Sequence, residues 1–161
     1  MNRSILAIIV FSGLAMTTLT YGEGKFKSNL QLGNIIDFGF AKIKIDGISE
    51  KFTTPVNSIP TKQPSCKFIV VDTSIISIKE GMQLVSGDFI LQENNGTIYA
   101  NSGAYGKVEV FGKLSNYEAA DGAVAYAGSA GDHLNVFFEV PKITIINELR
   151  LSYKERQSKA P

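Results

Sequence analysis

The sequence predicts an all-β protein, folded as a two-sheet antiparallel sandwich of seven or eight strands. Val, Ile, Thr, Phe, Tyr and Gly are plentiful in the 161 residues, Trp is absent and charged residues are only 19%, which is typical of β proteins. Short apolar runs, several of them alternating with polar residues, are separated by Gly, Pro and Asn, as strands and turns are. No segment carries a convincing helical pattern, so two packed sheets are the expected architecture.

The first 22 residues are expected to be a signal peptide rather than part of the fold. Arg3 supplies a positive start, residues 5–16 form an apolar run shorter than a membrane span, and the small residues Thr20 and Gly22 suit cleavage before Glu23. The alternative is an uncleaved anchor over residues 5–21. The sequence therefore predicts an exported protein, periplasmic or extracellular, with one domain over residues 23–154 and a charged, disordered tail over residues 155–161.

The first half of the domain is expected to contain two short edge segments, at residues 29–32 and 35–39, and two longer strands. Residues 40–46 alternate between apolar residues and lysines, which predicts a half-buried strand ending at Gly47. Residues 67–79 begin with an apolar run, as a central strand does. Three prolines between residues 49 and 64 predict an irregular crossover between the two sheets.

A β-hairpin around Asn95 and Gly96 is the clearest local prediction, because both residues tolerate positive φ. A two-residue loop would pair Leu91 with Ala100. A three-residue loop, with Gly96 in the left-handed conformation, would pair Leu91 with Tyr99 instead. A one-residue slip turns every side chain to the other face, and only the second register places Phe89, Leu91 and Tyr99 together. We therefore expect the second register.

The second half of the domain is expected to contain three more strands and one long loop. Alternation predicts strands at residues 107–111, 133–141 and 148–154, and the glycine-rich and alanine-rich residues 112–132 are predicted to be an irregular loop, with a helical turn at residues 117–120 as the alternative. The side chains predicted to share one core are Phe89, Leu91, Tyr99, Phe137 or Phe138, Leu149, Leu151 and Tyr153.

The charged, histidine and cysteine residues argue against several functions. Removing residues 1–22 leaves equal numbers of basic and acidic residues, so net charge does not favour nucleic acid or an anionic membrane. The single histidine, His133, is expected to be a solvated residue at a strand entry and not a catalytic base. Cys66 is the only cysteine, so it is expected to be buried as a small apolar residue, with pairing to another chain as the alternative.

Several acidic residues and His133 lie close together in the sequence and could in principle bind a metal ion. Asp132 and His133 with Asp121 are a conceivable metal set, and Asp121 and Asp132 with Glu118 are a conceivable calcium set. Acidic residues in a loop of small residues are more often solvated, so the sequence predicts no metal, no cofactor and no catalytic residue.

Three stretches, taken in order, resemble a known family. They are residues 32–47, the hairpin of residues 87–99, and residues 131–141 with the final Leu149-Arg150-Leu151 strand. The chain resembles the uncharacterised immunoglobulin-like domain found on many bacterial secreted proteins and lipoproteins, which is similar in fold to a mycobacterial secreted immunoprotective antigen. The resemblance covers roughly residues 28–154. It implies an immunoglobulin-like sandwich and an exported location, and it implies no catalytic residues.

The function expected from these observations is a non-catalytic binding or interaction module of the cell envelope or the extracellular space. Its partner would be another protein or an envelope component, not nucleic acid, with membrane contact only through an uncleaved anchor. The predicted interaction loop carries Tyr117 and Tyr126, with Asp121, Asp132 and His133, because tyrosines give contact area at low entropic cost. Two alternatives stay open: the tyrosines fold back as a lid, or the loop serves a small-ligand or metal-binding protein or an enzyme.

Overall fold

Strands make up nearly all the regular structure that the computed structural model describes, which covers residues 28–110, 113–120 and 126–154. The strands are β1 (Ser28–Asn29), β2 (Ile35–Asp37), β3 (Ala41–Lys51), β4 (Cys66–Ile78), β5 (Leu84–Val85), β6 (Phe89–Glu93), β7 (Ile98–Ala100), β8 (Gly103–Val110), β9 (Lys113–Ala120), β10 (Tyr126–Ala127), β11 (Asn135–Pro141) and β12 (Leu149–Tyr153). Two 3-10 turns, η1 (Ser86–Asp88) and η2 (Ile146–Glu148), precede β6 and β12. The predicted all-β fold is confirmed, and very short strands raise the number above seven or eight.

The strands form two main antiparallel sheets. One has four strands in the order β1-β12-β6-β7, and the other has six in the order β2-β3-β4-β11-β8-β9. Strands β5 and β10 pair as a separate two-stranded ribbon. Apolar side chains from both sheets are buried in one cluster, which includes Ile43, Ile45, Ile69, Val71, Val136 and Phe138 from the six-stranded sheet and Phe89, Leu91, Leu149 and Leu151 from the four-stranded sheet. The two sheets therefore pack face to face around a common core, as in a β-sandwich.

The predicted hairpin register is confirmed. Leu91 stands opposite Tyr99, the Glu93 amide donates to the Thr97 carbonyl at 2.9 Å, and Gly96 has φ +92°. A glycine is suited to this position because the left-handed region is costly for residues with a Cβ. Phe89 and Leu91 are fully buried in the core and Tyr99 packs against it, so these three side chains share one face, as predicted.

The predicted core is also confirmed, and the structure decides between the two adjacent phenylalanines. Leu149 and Leu151 are buried in the main cluster, Tyr153 packs against it, and Phe138 points into it. Phe137 alternates to the opposite face of the six-stranded sheet, where it forms a small second cluster with Phe68 and Val70. Cys66, expected to be buried, is a half-buried free thiol at the start of β4.

Two predictions for the first half of the domain are wrong. Strand β3 does not end at Gly47 but continues to Lys51, because an irregularity between Ile45 and Gly47 absorbs one residue and lets the pairing with β4 resume. Residues 52–65 do not cross between sheets. They connect β3 to β4, its antiparallel neighbour in the same sheet, and they continue the hairpin through a Thr53–Pro60 bridge.

The predicted loop over residues 112–132 is wrong for its first part, as is the alternative helical turn. Residues 113–120 form β9, which pairs with β8 along its whole length, and Tyr126 and Ala127 form β10 beside β5. Ladder hydrogen bonds to β8 stabilise a segment whose own composition is only weakly typical of a strand. The predicted signal peptide at residues 1–22 and the predicted tail at residues 155–161 lie outside the described residues.

Candidate functional site

The described part of the structure covers only some of the predicted interaction loop. Asp121 lies outside the described residues. Tyr117 stands opposite Gly106 in the β8–β9 pair, and Tyr126 stands opposite Val85 in the β10–β5 pair, with only the backbone of either tyrosine described. Ala127, next to Tyr126, is buried in the core beside Leu84, so the predicted loop packs against the core of the sandwich at this residue.

Asp132 and His133 occupy the turn that leads into β11. The Oδ2 atom of Asp132 accepts the backbone N–H groups of Gly128 at 3.1 Å and Ser129 at 2.9 Å. His133 is exposed and stands opposite Ser74. The Asp132 carboxylate therefore orders its own turn.

Within the described ranges, no three His, Cys, Asp or Glu residues are grouped so that they could hold a metal ion. The same ranges include no helix with the length and apolar character needed to span a membrane.

A different surface emerges at one end of the sandwich, where three connections lie side by side. We call this surface the tip, and it consists of residues 52–65 between β3 and β4, residues 94–97 between β6 and β7, and residues 142–148 between β11 and β12. Strand pairing places them at the same end, since Lys51 stands opposite Phe68, Pro141 opposite Cys66, and Leu149 opposite Glu93. Loops that gather at one end of a sandwich are where such folds commonly place binding residues.

Large apolar side chains are exposed on the tip. The exposed fractions are 89% for Ile143, 61% for Phe52, 55% for Ile145 and 48% for Ile59. The two loops that carry them are linked, because the Lys142 amide donates to the Ser65 carbonyl at 2.9 Å and the Lys142 Nζ atom lies 5.2 Å from the centre of the Phe52 ring. Single exposed apolar residues are ordinary, but several on one surface indicate an interaction site.

Thr144 explains why its two neighbours point outward. Its side chain is buried, and its hydroxyl donates to the Glu93 Oε1 atom at 3.1 Å. The same oxygen accepts the Tyr99 hydroxyl at 2.7 Å, and Glu93 Oε2 accepts the Asn95 side-chain amide at 2.8 Å. Holding Thr144 inward leaves Ile143 and Ile145, on either side of it, directed toward solvent.

The electrostatics of this cluster follow from its hydrogen bonds. Donation by Tyr99, and then by Asn95 and Thr144, holds the pKa of the Glu93 carboxyl below its ordinary value. Burial raises the pKa of the Tyr99 phenol, and its bond to Glu93 raises it further. Glu93 is thus an ionised acceptor that ties the β6–β7 turn to the β11–β12 connection, so the tip is preorganised.

A narrow cleft adjoins the tip on the outer face of the six-stranded sheet. Its floor is made by Phe68 and Phe137, whose rings meet edge to face at 5.5 Å, and its wall includes Ile59 and Pro60. The cleft measures about 80 Å³, well below the ~300–1,000 Å³ typical of sites for small molecules. A shallower hollow of about 270 Å³ near Asp37 and Lys42 lies at the opposite end. Neither has the size of an ordinary ligand pocket.

Local sequence patterns did not predict the tip. Residues 143–146 contain three isoleucines directly after a strand that ends at Pro141, which is unusual for a solvated connection. That density of large apolar residues in a turn was the signal available. It became meaningful only once the hydrogen bonds of Thr144 showed which side chains face outward.

Comparisons with known proteins add little beyond these observations. No protein-family model matches the chain, and no curated protein does. The chain is similar to a crystal structure of an uncharacterised β-sandwich protein from Clostridium difficile 630, with 13% sequence identity and a TM-score of 0.43, over 70% of this chain and 76% of that one.

Proposed function

We propose that the protein is an exported, non-catalytic binding module that contacts another macromolecule of the cell envelope or extracellular space through its tip. The observation that carries the proposal is the exposure of Ile143, Ile145 and Phe52 on linked loops at one end of the sandwich. Burying such side chains against a partner is favourable because it removes apolar surface from water.

Preorganisation of the tip supports the proposal. The Glu93 hydrogen bonds with Tyr99, Asn95 and Thr144 hold two of the three connections in one arrangement before any partner arrives. A surface that is ordered in advance does not lose that conformational entropy on binding, and so gains affinity.

We include in the proposal membership of the immunoglobulin-like family of exported bacterial domains, for which the sequence resemblance is the support.

Site-specific photo-crosslinking in the cells that make the protein tests this function. A photoreactive phenylalanine analogue at Ile143 should give a defined adduct, whose partner is identified by mass spectrometry and then purified for binding measurements. The matched control is the same analogue at Met82, which is 44% exposed and lies between β4 and β5, at the opposite end of the sandwich from the tip. Equal adducts from both positions, or none from Ile143, would refute the assignment of the tip as the contact surface.

A further inference from the structure

The charges of the tip are divided between the two layers of the sandwich. Lys51 ends β3 and Lys142 directly follows β11, on the side of the six-stranded sheet, and both are exposed. Glu93, half-buried at the end of β6, and Glu148, exposed in η2 just before β12, lie on the side of the four-stranded sheet. The β11–β12 connection crosses from one layer to the other, so Ile143 and Ile145 lie between the basic half and the acidic half.

Two further charges near this end have the opposite sign to their side. Glu50 is an acid on the basic side, but it is paired with the Lys67 Nζ atom at 2.7 Å. Arg150 is a base on the acidic side, but it is half-buried in β12 and its Nε atom is buried. Lys62 and Glu139, of opposite sign, both line the cleft on the outer face. The tip therefore presents an apolar centre with a basic side and an acidic side.

Such a surface is complementary to itself. Two copies can meet end to end about a two-fold axis that places the six-stranded sheet of each against the four-stranded sheet of the other. The basic half of each copy then faces the acidic half of its partner, and the isoleucines of both copies meet at the centre. A two-fold interface requires this self-complementarity, because the same patch contributes both sides. An anionic membrane would be attracted by one half of the tip and repelled by the other.

We propose that a second copy of this chain is an occupant of the tip, so that the protein forms a tip-to-tip dimer. The inference deepens the proposed function and rests on it, because the contact surface is the same. Near-zero net charge, formally +1 for the whole chain, leaves little long-range repulsion to oppose the association.

Sedimentation velocity over a concentration series, from low micromolar to several hundred micromolar, tests the proposal on protein purified after expression of the full chain. Wild-type protein should shift from monomer to dimer. The Ile143→Ser, Ile145→Ser variant should raise the dissociation constant at least about tenfold, since central apolar residues dominate interface energy. The control Met82→Ser removes an exposed apolar residue at the opposite end of the sandwich and should leave the dissociation constant unchanged. Thermal unfolding verifies that each variant is folded.

Charge reversal distinguishes the tip-to-tip arrangement from any other dimer. Lys142→Glu alone and Glu148→Lys alone should each weaken self-association about tenfold, because each places like charges together at two symmetric positions. An equimolar mixture of the two variants should restore the dimer, since each contact in the mixed pair joins opposite charges. A mixture as monomeric as its components would overturn the proposal.

Wild-type protein that stays monomeric over the whole concentration series would also overturn it. The proposed function would survive that result if crosslinking at Ile143 captured a different protein. Binding of phosphatidylglycerol vesicles by the wild type and not by the serine variant would instead replace the proposed function with contact to a lipid surface. Those outcomes would assign the tip to another occupant, whereas failure of crosslinking at Ile143 would remove the proposed function itself.

Discussion

Gly47→Ala should destabilise the protein through a contact that lies on the outer face of the six-stranded sheet. Gly47 stands opposite Asp72, next to the irregularity in β3. A Cβ atom at position 47 would lie 2.6 Å from the Asp72 Oδ2 atom and 3.3 Å from its Cβ and Cγ atoms. The Asp72 carboxylate cannot simply rotate away, because its other oxygen accepts the hydroxyl of Tyr105. Space, and not backbone conformation, is therefore what requires glycine here.

The magnitude follows from three contributions. Forcing an extra methyl group into an occupied space costs about 1–3 kcal/mol. Displacing Asp72 from Tyr105 disturbs a hydrogen bond of a kind worth about 1.5–3 kcal/mol when one partner is charged, and the two costs overlap because one movement relieves the clash and breaks the bond. Replacing glycine by alanine gains about 0.4–1 kcal/mol by restricting the unfolded chain. The expected net loss in the free energy of unfolding is about 1–3 kcal/mol.

Chemical denaturation in two backgrounds checks the reasoning. In the Asp72→Ala background the carboxylate is gone, so Gly47→Ala should no longer destabilise the protein and should change the free energy of unfolding by less than about 1 kcal/mol, the size of the gain from restricting the unfolded chain. The difference between the two backgrounds is the coupling energy of the pair. An equal cost in both backgrounds would show that the clash with Asp72 is not the cause.

Three further predictions concern the core, the contact between β5 and β12, and the tip. Leu91→Ala should lower the free energy of unfolding by about 2–5 kcal/mol, because Leu91 is fully buried between the sheets; a loss far below that range would contradict the hairpin register. Tyr153→Phe should lower the free energy of unfolding by about 1–3 kcal/mol, because the phenol oxygen accepts the Val85 amide at 2.9 Å. The phenylalanine ring keeps its contact with Phe89, with ring centres 5.0 Å apart. An unchanged denaturation midpoint would count against the hydrogen bond between Val85 and Tyr153. The pKa of Glu93 is lowered below its ordinary value of 4.5, mainly by Tyr99, so its stabilisation is present above that value and is lost as the pH falls through the folded-state pKa. The melting temperature of the wild type should therefore fall more steeply with acidification than that of Glu93→Gln. Equal dependence of the two melting temperatures on pH would argue against stabilisation by the Glu93 hydrogen bonds.

The strands and the hairpin were predictable because local rules decide them. Alternation in residues 40–46 predicted which side chains of β3 face inward, and Ala41, Ile43 and Ile45 are indeed buried. The Asn95-Gly96 turn set the register of β6 and β7, since only that register puts the apolar side chains on one face. A period of two and a glycine with positive φ are properties of a few neighbouring residues, and so they can be inferred from the chain alone.

Pairing and exposure were decided by the tertiary structure. The prolines of residues 52–65 suggested a crossover, but they lie beyond the continuous β3–β4 ladder, and Pro60 takes part only in the isolated bridge with Thr53. Residues 113–120 are strand because β8 provides a partner for them, which their own composition does not reveal. The exposure of Ile143 depends on a hydrogen bond between Thr144 and Glu93, 51 residues apart. Contacts between residues so distant in sequence depend on how the two sheets pack, and that packing, more than any local pattern, creates the tip.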